Sequence, residues 1–550
     1  MFTKEVTVSR KNGPAVRYVQ IVESVRRAGS RTPRHEVVLN LGRADRIDRE
    51  RVGRLIRLLQ ECLGEREGVA LPEGMEIGQT RELGVLCVIE ALWHRLGLDR
   101  FFRRELKSRK IAFPVERAIR GMVAHRAMDP TSKRRDFYWL REEAFFPWAE
   151  KVELHHLYRA LDVLQEHRDS LESALYAHRS TLFNRSAQLI YFDTTTVHFE
   201  VEDDPEEPEI EGLRQYGRPK DGRSSHRQIV VGLAVDGDGL PLVSETFAGN
   251  TVDGKTLPVV VKRLKGMGVE QVVFVADRGC VSKKNLEEIG QAGLEYIVGL
   301  RLRRAGDLMP AILADTSPYE SVQENLLAKA VKREGKRWIV CYSPETAKRD
   351  LKMRGRALER LNGKLEAVGK ARDRQKAESE ILGHHLFRRW VERDKGGNLV
   401  VSREKVAEEG MCDGTFVLET SNERLSVAEV ALGYKGLLRV ERAWQSLKHV
   451  LDIQSVFVRT DERIRAHVTL CMIAYLLERW AEIVTGESFE EIRRQLRLLH
   501  ATELVENGQS LWKPSRLSAG QESLLKKLEV SPPRKVLHIG PIPCLPPQKL

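Results

Sequence analysis

The sequence has little that would serve a zinc ribbon, a disulfide framework or a membrane segment. Its seven cysteines, at positions 62, 87, 280, 341, 412, 471 and 544, form no Cys-x-x-Cys pair, so neither a zinc site nor a disulfide-stabilised domain is predicted. No uncharged apolar run approaches the roughly 18 residues of a membrane span, and no apolar signal region opens the chain. We therefore expect a cytoplasmic protein with reduced thiols and no membrane contact.

What is present is a long, charged and basic chain. Of its 550 residues 41% are hydrophobic and 31% are charged, which is a globular composition. The length predicts three or more domains, because a single hydrophobic core does not extend over so many residues. The formal net charge of +12 favours a polyanionic partner such as nucleic acid, although the excess is spread over a large chain.

The first 185 residues predict two units. Residues 1–45 alternate polar and apolar side chains, and residues 1–78 are interpreted as a small basic β-meander plus a helix. Up to Arg54 the chain has 13 Lys or Arg and 6 Asp or Glu, so this sheet could lie on phosphates; a solvated basic surface is the alternative. Residues 79–185 have helical periodicity and predict an all-α module for DNA binding or dimerisation, although packing alone would give the same pattern.

Two apolar strands each deliver an aspartate. The β-branched run 189–197 contains Asp193, and the strand 271–276 runs directly into Asp277. A carboxylate in a buried strand is costly unless a cation meets it. If the two strands are neighbours in one sheet, their equivalent ends bring the carboxylates together, and a divalent cation with oxygen ligands makes that arrangement favourable.

The order of elements around these strands predicts a multidomain α+β fold. Residues 186–300 read as strand, hairpin, helix, strand, helix and strand, which is the first part of a ribonuclease H-like, mixed five-stranded α/β catalytic domain. Residues 301–412 interrupt it as an insertion domain, whose stretch 344–376 has 11 basic and 5 acidic residues and is either a DNA contact or a solvated helix. Residues 413–481 return to the catalytic domain. Residues 482–550 predict a helical C-terminal segment and a loose tail.

A helix that begins around Ser426 or after Gly436 supplies a third carboxylate. Its apolar stripe consists of Val440, Trp444, Leu447 and Leu451. At about 100° per residue, Tyr434, Glu441 and Lys448 lie on one line beside that stripe, because they are spaced by seven. A solvated helix flank with a surface glutamate is the alternative. The two strand aspartates upstream favour a third acid lying over them, with a cation above it for a phosphate.

These residues together resemble the DDE transposases of bacterial insertion sequences, in the insertion sequence 4 superfamily and within it the insertion sequence 1634 group. The matching pieces are Asp193 in Tyr-Phe-Asp-Thr-Thr, the run 247–256, Asp277 in Val-Ala-Asp-Arg-Gly, and a Tyr-x2-Arg-x3-Glu-x6-Lys signature that appears here as Tyr434, Glu441 and Lys448. The match spans about residues 188–480. It covers a predicted catalytic domain with its insertion between the second aspartate and the glutamate.

The chain departs from the signature at one position. Leu437 occupies the place of the signature's arginine. The nearby Arg439 lies on the far flank of the predicted helix from Glu441, so it is not a simple substitute. The departure affects one expected phosphate contact and not the metal site.

The resemblance implies an enzyme that cleaves and rejoins DNA with Mg²⁺. Asp193, Asp277 and Glu441 are the expected catalytic residues and the expected ligands of two Mg²⁺ ions, for which Mn²⁺ would substitute. One ion would activate water and later a DNA 3′-OH, and the other would stabilise the leaving oxygen.

The resemblance also implies the DNA contacts and the partners. Tyr434 and Lys448 are expected to hold the phosphodiester, and Lys255, from the run 249–256, to lie near phosphate. In that run Asp253 is alternatively no more than a helix N-cap. The expected partners are double-stranded DNA, namely the terminal inverted repeats of the element and the target DNA, and a second copy of the chain in a homodimer on the nucleoid.

Two other classes of protein remain open. One is a ribonuclease H-like nuclease that cuts without joining, and the other is a non-catalytic DNA-binding regulator derived from a transposase. Acidic residues at all three positions argue against the regulator. Cleavage of element ends that is unchanged by Asp193→Asn would exclude the metal site in any of these proteins.

Overall fold

A computed structural model of the chain describes residues 2–10, 13–25, 34–44, 75–183, 189–199, 211–220, 226–269, 272–277, 282–300, 308–370, 372–454 and 456–541. Four predicted features lie outside the described residues: the helix near Val52, most of the acidic loop after the Asp193 strand, Arg278 with Gly279, and the end of the tail from residue 542. Within the described ranges, none of the helices combines the length and apolar character that crossing a lipid bilayer requires.

The chain alternates groups of strands and helices. The strands are β1 (Phe2–Arg10), β2 (Gly13–Val25), β3 (Arg34–Arg43), β4 (Met75–Glu82), β5 (Leu189–His198), β6 (Gln228–Val235), β7 (Pro241–Ala248), β8 (Val273–Ala276), β9 (Glu295–Gly299), β10 (Glu320–Gln323), β11 (Leu326–Arg333), β12 (Lys336–Tyr342), β13 (Val391–Arg393), β14 (Leu399–Val401), β15 (Thr415–Thr420), β16 (His500–Glu506), β17 (Gln509–Pro514) and β18 (His538–Pro541). The helices are α1 (Gly84–Arg95), α2 (Leu98–Glu105), α3 (Val115–Met128), α4 (Lys133–Tyr138), α5 (Leu154–Glu166), α6 (Arg168–Phe183), α7 (Leu257–Gly266), α8 (Lys283–Gln291), α9 (Leu308–Leu313), α10 (Pro344–Lys370), α11 (Arg374–Gly383), α12 (Arg403–Gly410), α13 (Val427–Lys435), α14 (Leu438–Gln445), α15 (Asp461–Thr485), α16 (Phe489–Leu496) and α17 (Ala519–Lys527).

The N-terminal strands and the following helices agree with the periodicity of the sequence. Strands β1, β2 and β3 form an antiparallel three-stranded sheet, so the predicted meander is confirmed. Helices α1 to α6 follow, and α3 runs through their middle, with every residue from Ala118 to Met128 buried. Large side chains such as Trp93, Phe102 and Trp139 fill the core between these helices. The predicted helical periodicity of this region is therefore confirmed.

The central sheet is mixed, as predicted, but it has nine strands instead of five. Their order is β10-β11-β12-β15-β9-β8-β5-β6-β7. The pairs β5·β8 and β8·β9 are parallel, and the other neighbours are antiparallel. Three of the four additional strands, β10 to β12, belong to the predicted insertion. The fourth, β15, lies in the part of the chain where the catalytic domain was predicted to resume. Strands β10 to β12 pair with β15 and so extend the same sheet.

Each face of the sheet has its own core. Side chains alternate along a strand, so Tyr191 and Val197 of β5 face the large core formed with α14, α15 and the N-terminal helices. Ile190 and Phe192 face the opposite core, with α7 and α8. The long helix α15 packs on α3, α5 and β7, which joins the N-terminal helices to the sheet.

The helical part of the insertion has a separate core. Helices α10, α11 and α12 with the hairpin β13·β14 enclose a cluster that contains Leu361, Ile381, Phe387 and Trp390. The basic face of α10 lies outside this cluster, and Lys352, Arg356 and Arg360 are exposed. Within the described part of the insertion, this cluster is therefore separate from the core of the central sheet.

Two predictions about the C-terminal third need correction. Tyr434, Glu441 and Lys448, which were predicted on one helix, lie in α13, in α14 and in a π-helical turn at Ser446–Val450, respectively. The segment 482–541, predicted as helical with a loose tail, also contains β16, β17 and β18, which form a four-stranded sheet with β4. Its partner strand lies more than 400 residues upstream, so no local pattern indicates the pairing.

Candidate active site

The two strand aspartates lie side by side. In the parallel pair β5·β8, Tyr191 pairs with Val275 and Phe192 with Ala276, so the next positions, Asp193 and Asp277, are neighbours. Both face the side of the sheet that α14 covers, since they alternate with Phe192 and Ala276. The sequence prediction that adjacent strand ends deliver these two acids to one place is consistent with this register.

Asp193 is held in an environment that is short of positive charge. Its side chain is 28% exposed, and Lys220 Nζ lies 3.8 Å from its Oδ1. Burial raises the pKa of Asp193 above its ordinary value, the Lys220 ammonium opposes that rise, and the carboxylates of Asp253 and Asp277 add to it. A further cation beside Asp193 would oppose this rise in its pKa.

Asp253 and Lys220 belong to the site although the sequence analysis did not place them there. Asp253 Oδ1 accepts a hydrogen bond from Thr194 Oγ1 at 2.7 Å, and its Oδ2 lies 3.5 Å from Lys220 Nζ. The interpretation of Asp253 as a helix N-cap is therefore wrong: α7 begins at Leu257, and its N-cap is Thr256, without a capping side chain. The run 247–256 contains Asp253 and is the sequence signal that could have located it. Of that run, only Lys255 was predicted as a site residue.

Tyr434 reaches the site from the end of α13. Its hydroxyl donates a hydrogen bond to Asp277 Oδ1 at 3.0 Å. The ring passes directly over Gly299, the position in β9 next to Asp277, and a Cβ at Gly299 would overlap the Tyr434 hydroxyl. That Tyr434 holds phosphate stays a prediction. Its hydroxyl lies at the end of the sheet that carries Asp193 and Asp277.

Helix α14 crosses β5 close to Asp193. Arg439 donates to the Tyr191 hydroxyl at 2.9 Å, and its guanidinium lies over the Tyr191 ring. Leu437, at the signature's arginine position, is buried in the large core. Arg439 is turned to the sheet and so does not replace that arginine. Glu441 is exposed on the same helix.

The turn after α14 is fixed from two sides. Ser446 Oγ donates to Glu478 Oε2 of α15 at 2.9 Å. The buried Arg126 of α3 donates to the carbonyl oxygens of Leu451 and Asp452, both at 3.4 Å. These contacts determine where the helix that carries Glu441 ends.

The structure does not assemble all the predicted metal ligands into one group. Among the described residues, no three His, Cys, Asp or Glu side chains lie close enough together to hold a metal ion. Asp193 and Asp277 are brought together, whereas Glu441 is not joined to them. Lys255 is exposed beside Asp253, and Lys448 is half-buried in the π-helical turn. The roles assigned to Glu441, Lys255 and Lys448 therefore stay predictions.

The donor atoms present fit a hard divalent cation. Asp193 and Asp277 offer carboxylate oxygens, with Asp253 beside them, and such oxygens are the ligands that Mg²⁺ prefers. Among the groups that shift the pKa of Asp193, Lys220 is the one cation, while Asp253 and Asp277 add negative charge. An arrangement of this kind can hold a phosphodiester through a cation and activate an oxygen nucleophile.

Two protein-family models match the chain and define its class. Residues 185–477, more than half of the chain, match the family model "Transposase DDE domain", so the chain belongs to the DDE transposase family. Residues 4–68 match the N-terminal domain of IS1634 family transposases. The chain is therefore an insertion-sequence DNA transposase of the IS1634 type, as the motif resemblance predicted. DDE transposases are DNA-cleaving and strand-transferring enzymes that generally use divalent metal ions.

The solved structures that the chain matches are distant from it. The piggyBac transposase synaptic complex with hairpin DNA is 10% identical, with a TM-score of 0.33 over 76% of this chain and 82% of that chain. A pre-cleavage Mos1 transpososome is 11% identical, with a TM-score of 0.15 over 36% of this chain and 66% of that chain. A Mos1 paired-end complex with the left transposon end is 11% identical, with a TM-score of 0.14 over 46% and 68%. No curated protein matches the chain.

Proposed function

We propose that β7-β6-β5-β8-β9 is a ribonuclease H-like catalytic core in which Asp193, Asp277 and Glu441 cleave DNA at the ends of the element and join the 3′-OH ends to target DNA. These five strands occur in the order third, second, first, fourth and fifth along the chain, with the last two parallel to the first. Residues 186–300 and 413–481 are the two parts of this core. Residues 301–412 are its insertion, of which β10 to β12 prolong the sheet.

The register of β5 with β8 is the observation that carries the proposal. Two neighbouring parallel strands bring paired residues to the same end of the sheet. Asp193 and Asp277 follow directly after the pair Phe192 and Ala276, so they lie at that end together. Helix α14 lies over the same face, held to β5 by the contact of Arg439 with Tyr191. A shift of Glu441 towards that edge in the DNA complex would complete the set of three carboxylates.

Two Mg²⁺ ions, or Mn²⁺ in their place, fit the carboxylate oxygens and would supply a nucleophilic oxygen at neutral pH and a countercharge for the leaving oxygen. The carboxylates of Asp193 and Asp277 would bind these metal ions and fix their positions. The Tyr434 hydroxyl keeps Asp277 in place by donating to its Oδ1. Mg²⁺ dependence and the identity of the three ligands are the parts of the proposal that go beyond the family.

DNA contacts are proposed for two lysines and one tyrosine. Lys448 and Lys255 are proposed to bind the phosphodiester as point charges, and Tyr434 by a hydrogen bond. The terminal inverted repeats would be bound by the basic sheet of residues 1–78 and the helices of residues 79–185, in a homodimer that holds two ends together. A reaction on two DNA ends is the reason to expect at least two copies of the chain.

The test is strand cleavage and strand transfer with purified chain, Mg²⁺ and DNA that carries the element ends. Asp193→Asn, Asp277→Asn and Glu441→Gln should each abolish both reactions and leave binding to the end DNA intact, because each keeps the side-chain volume and removes the charge. Glu522→Gln, at an exposed position on α17, is the matched control and should retain both reactions. Cleavage by Asp193→Asn at the wild-type rate would refute the assignment, and cleavage without joining would indicate a nuclease.

A further inference from the structure

Lys220 lies at the acidic end of β5, although no motif predicts a site residue there. Its Nζ donates to the carbonyl oxygen of Thr194 at 2.7 Å and to Thr194 Oγ1 at 2.6 Å. The same Nζ lies 3.5 Å from Asp253 Oδ2 and 3.8 Å from Asp193 Oδ1. One ammonium group thus lies between two carboxylates that come from different elements.

The position of this ammonium is built by β5 itself. Thr194 Oγ1 has a single proton, which it donates to Asp253 Oδ1 at 2.7 Å, so it accepts from Lys220. The backbone N–H of Lys220 also donates to Thr196 Oγ1 at 3.2 Å. Both threonines are buried. Lys220 is therefore fixed to the strand at two points, and its hydrogen bonds continue through Thr194 to Asp253.

We propose that Lys220 is a positioning residue that holds the carboxylates of Asp193 and Asp253 together in the metal-free protein and competes with a divalent cation for them. This inference rests on the proposed function, since it takes Asp193 as part of the metal site. Without the Lys220 ammonium, the carboxylates of Asp193 and Asp253 repel each other in a partly buried environment. A divalent cation then has more negative charge to neutralise and no competitor, so it binds more tightly.

The experiment measures the binding of Mn²⁺ alone to the full chain by electron paramagnetic resonance, with melting temperatures recorded in EDTA and in Mn²⁺. Lys220→Met should bind Mn²⁺ about tenfold more tightly than wild type. It should melt at a lower temperature in EDTA and recover more stability on addition of Mn²⁺. Lys220→Arg keeps the charge and should stay close to wild type in both measurements. Lys262→Met, an equal change of charge at an exposed position of α7, should change neither.

The outcomes separate this inference from the proposed function. Asp193→Asn should weaken Mn²⁺ binding; if it does not, the proposed metal site is wrong and the inference fails with it. If Asp193→Asn weakens binding but Lys220→Met binds Mn²⁺ no more tightly than wild type, the inference alone is overturned. In that case, a loss of affinity for DNA in Lys220→Met would show that Lys220 binds phosphate. A lower melting temperature both in EDTA and in Mn²⁺ would show that Lys220 only stabilises the fold. Lys220→Gln repeats the measurement if Lys220→Met does not fold.

Discussion

Among single residues, Gly299 has no room for a larger side chain. It lies beside Asp277 in the parallel pair β8·β9, and a Cβ there would overlap the hydroxyl of Tyr434. Gly299→Ala should displace the tyrosine from Asp277. We expect a loss of roughly 1–3 kcal/mol in the free energy of unfolding and roughly a 10- to 100-fold slower strand cleavage, measured by urea denaturation and by cleavage of end DNA.

Gly290 supplies the control for that substitution. It is an exposed residue in α8 with open space where a Cβ would lie. Gly290→Ala should leave cleavage unchanged and raise the free energy of unfolding by about 0.5–1 kcal/mol, since alanine favours a helix over glycine. Equal cleavage rates for the two variants would show that Tyr434 does not matter for the site.

A second residue, Glu478, makes the stability of the chain depend on pH. Burial raises the pKa of Glu478 from 4.5 to about 8, and the hydrogen bond from Ser446 only partly opposes this. A carboxyl group whose folded-state pKa is raised takes up a proton on folding between these two values. The contribution of Glu478 to stability is therefore present below pH 4.5 and is lost as the pH rises towards about 8.

Glu478→Gln should remove this loss, because the amide keeps the acceptor for Ser446 and carries no charge. At about pH 8 the variant should exceed wild type in the free energy of unfolding, by on the order of 2–5 kcal/mol more than at about pH 5. Urea denaturation at the two pH values measures the difference. A difference between variant and wild type that is the same at both pH values would contradict the raised pKa.

Between elements, the acid Glu245 joins three parts of the fold at the edge strand β7. It is 7% exposed, and it accepts from Arg168 at 3.0 and 3.1 Å, from Arg263 at 3.1 Å and from Arg465 at 3.2 Å. Glu245→Gln removes the carboxylate that these three guanidinium groups share, while Arg168 and Arg263 keep their pairs with Asp169 and Glu172. We expect a loss of about 3–5 kcal/mol in the free energy of unfolding by urea.

An exposed ion pair serves as the control for Glu245. Glu491 and Arg494 pair within α16 at the surface. Such pairs contribute little, because solvent screens them. Glu491→Gln should therefore leave the urea midpoint nearly unchanged, and an equal effect of both substitutions would mean that Glu245 does not hold the elements together.

The elements also show what the sequence alone could establish. The strands with Asp193 and Asp277 were predicted because apolar runs that end in an acid are local patterns. The sequence leaves open whether the helix that carries Glu441 begins around Ser426 or after Gly436. The contact of Gly436 with Tyr191 of a distant strand, where a Cβ would overlap the tyrosine hydroxyl, has no local signal. The pairing of β16 with β4 and the place of Lys220 are likewise tertiary contacts without a local signal.

At the scale of the whole molecule, the proposed metal site requires Glu441 to move towards the two aspartates. Helix α14 is tied to β5 through Arg439 and Tyr191, and the turn after it is tied to α15 through Ser446 and Glu478. Glu441 is exposed between these two anchors. DNA and metal ions bring both the countercharge and the substrate to this face, so we predict that the third carboxylate turns to the aspartates in the complex.

Anomalous X-ray scattering from Mn²⁺ in crystals of the chain bound to element-end DNA tests that prediction most directly. The account predicts Mn²⁺ peaks within about 2–2.5 Å of carboxylate oxygens of Asp193, Asp277 and Glu441, which is the range for a hard cation with oxygen ligands. Peaks bound by other residues, or peaks at the two aspartates with Glu441 still turned to solvent, would contradict it.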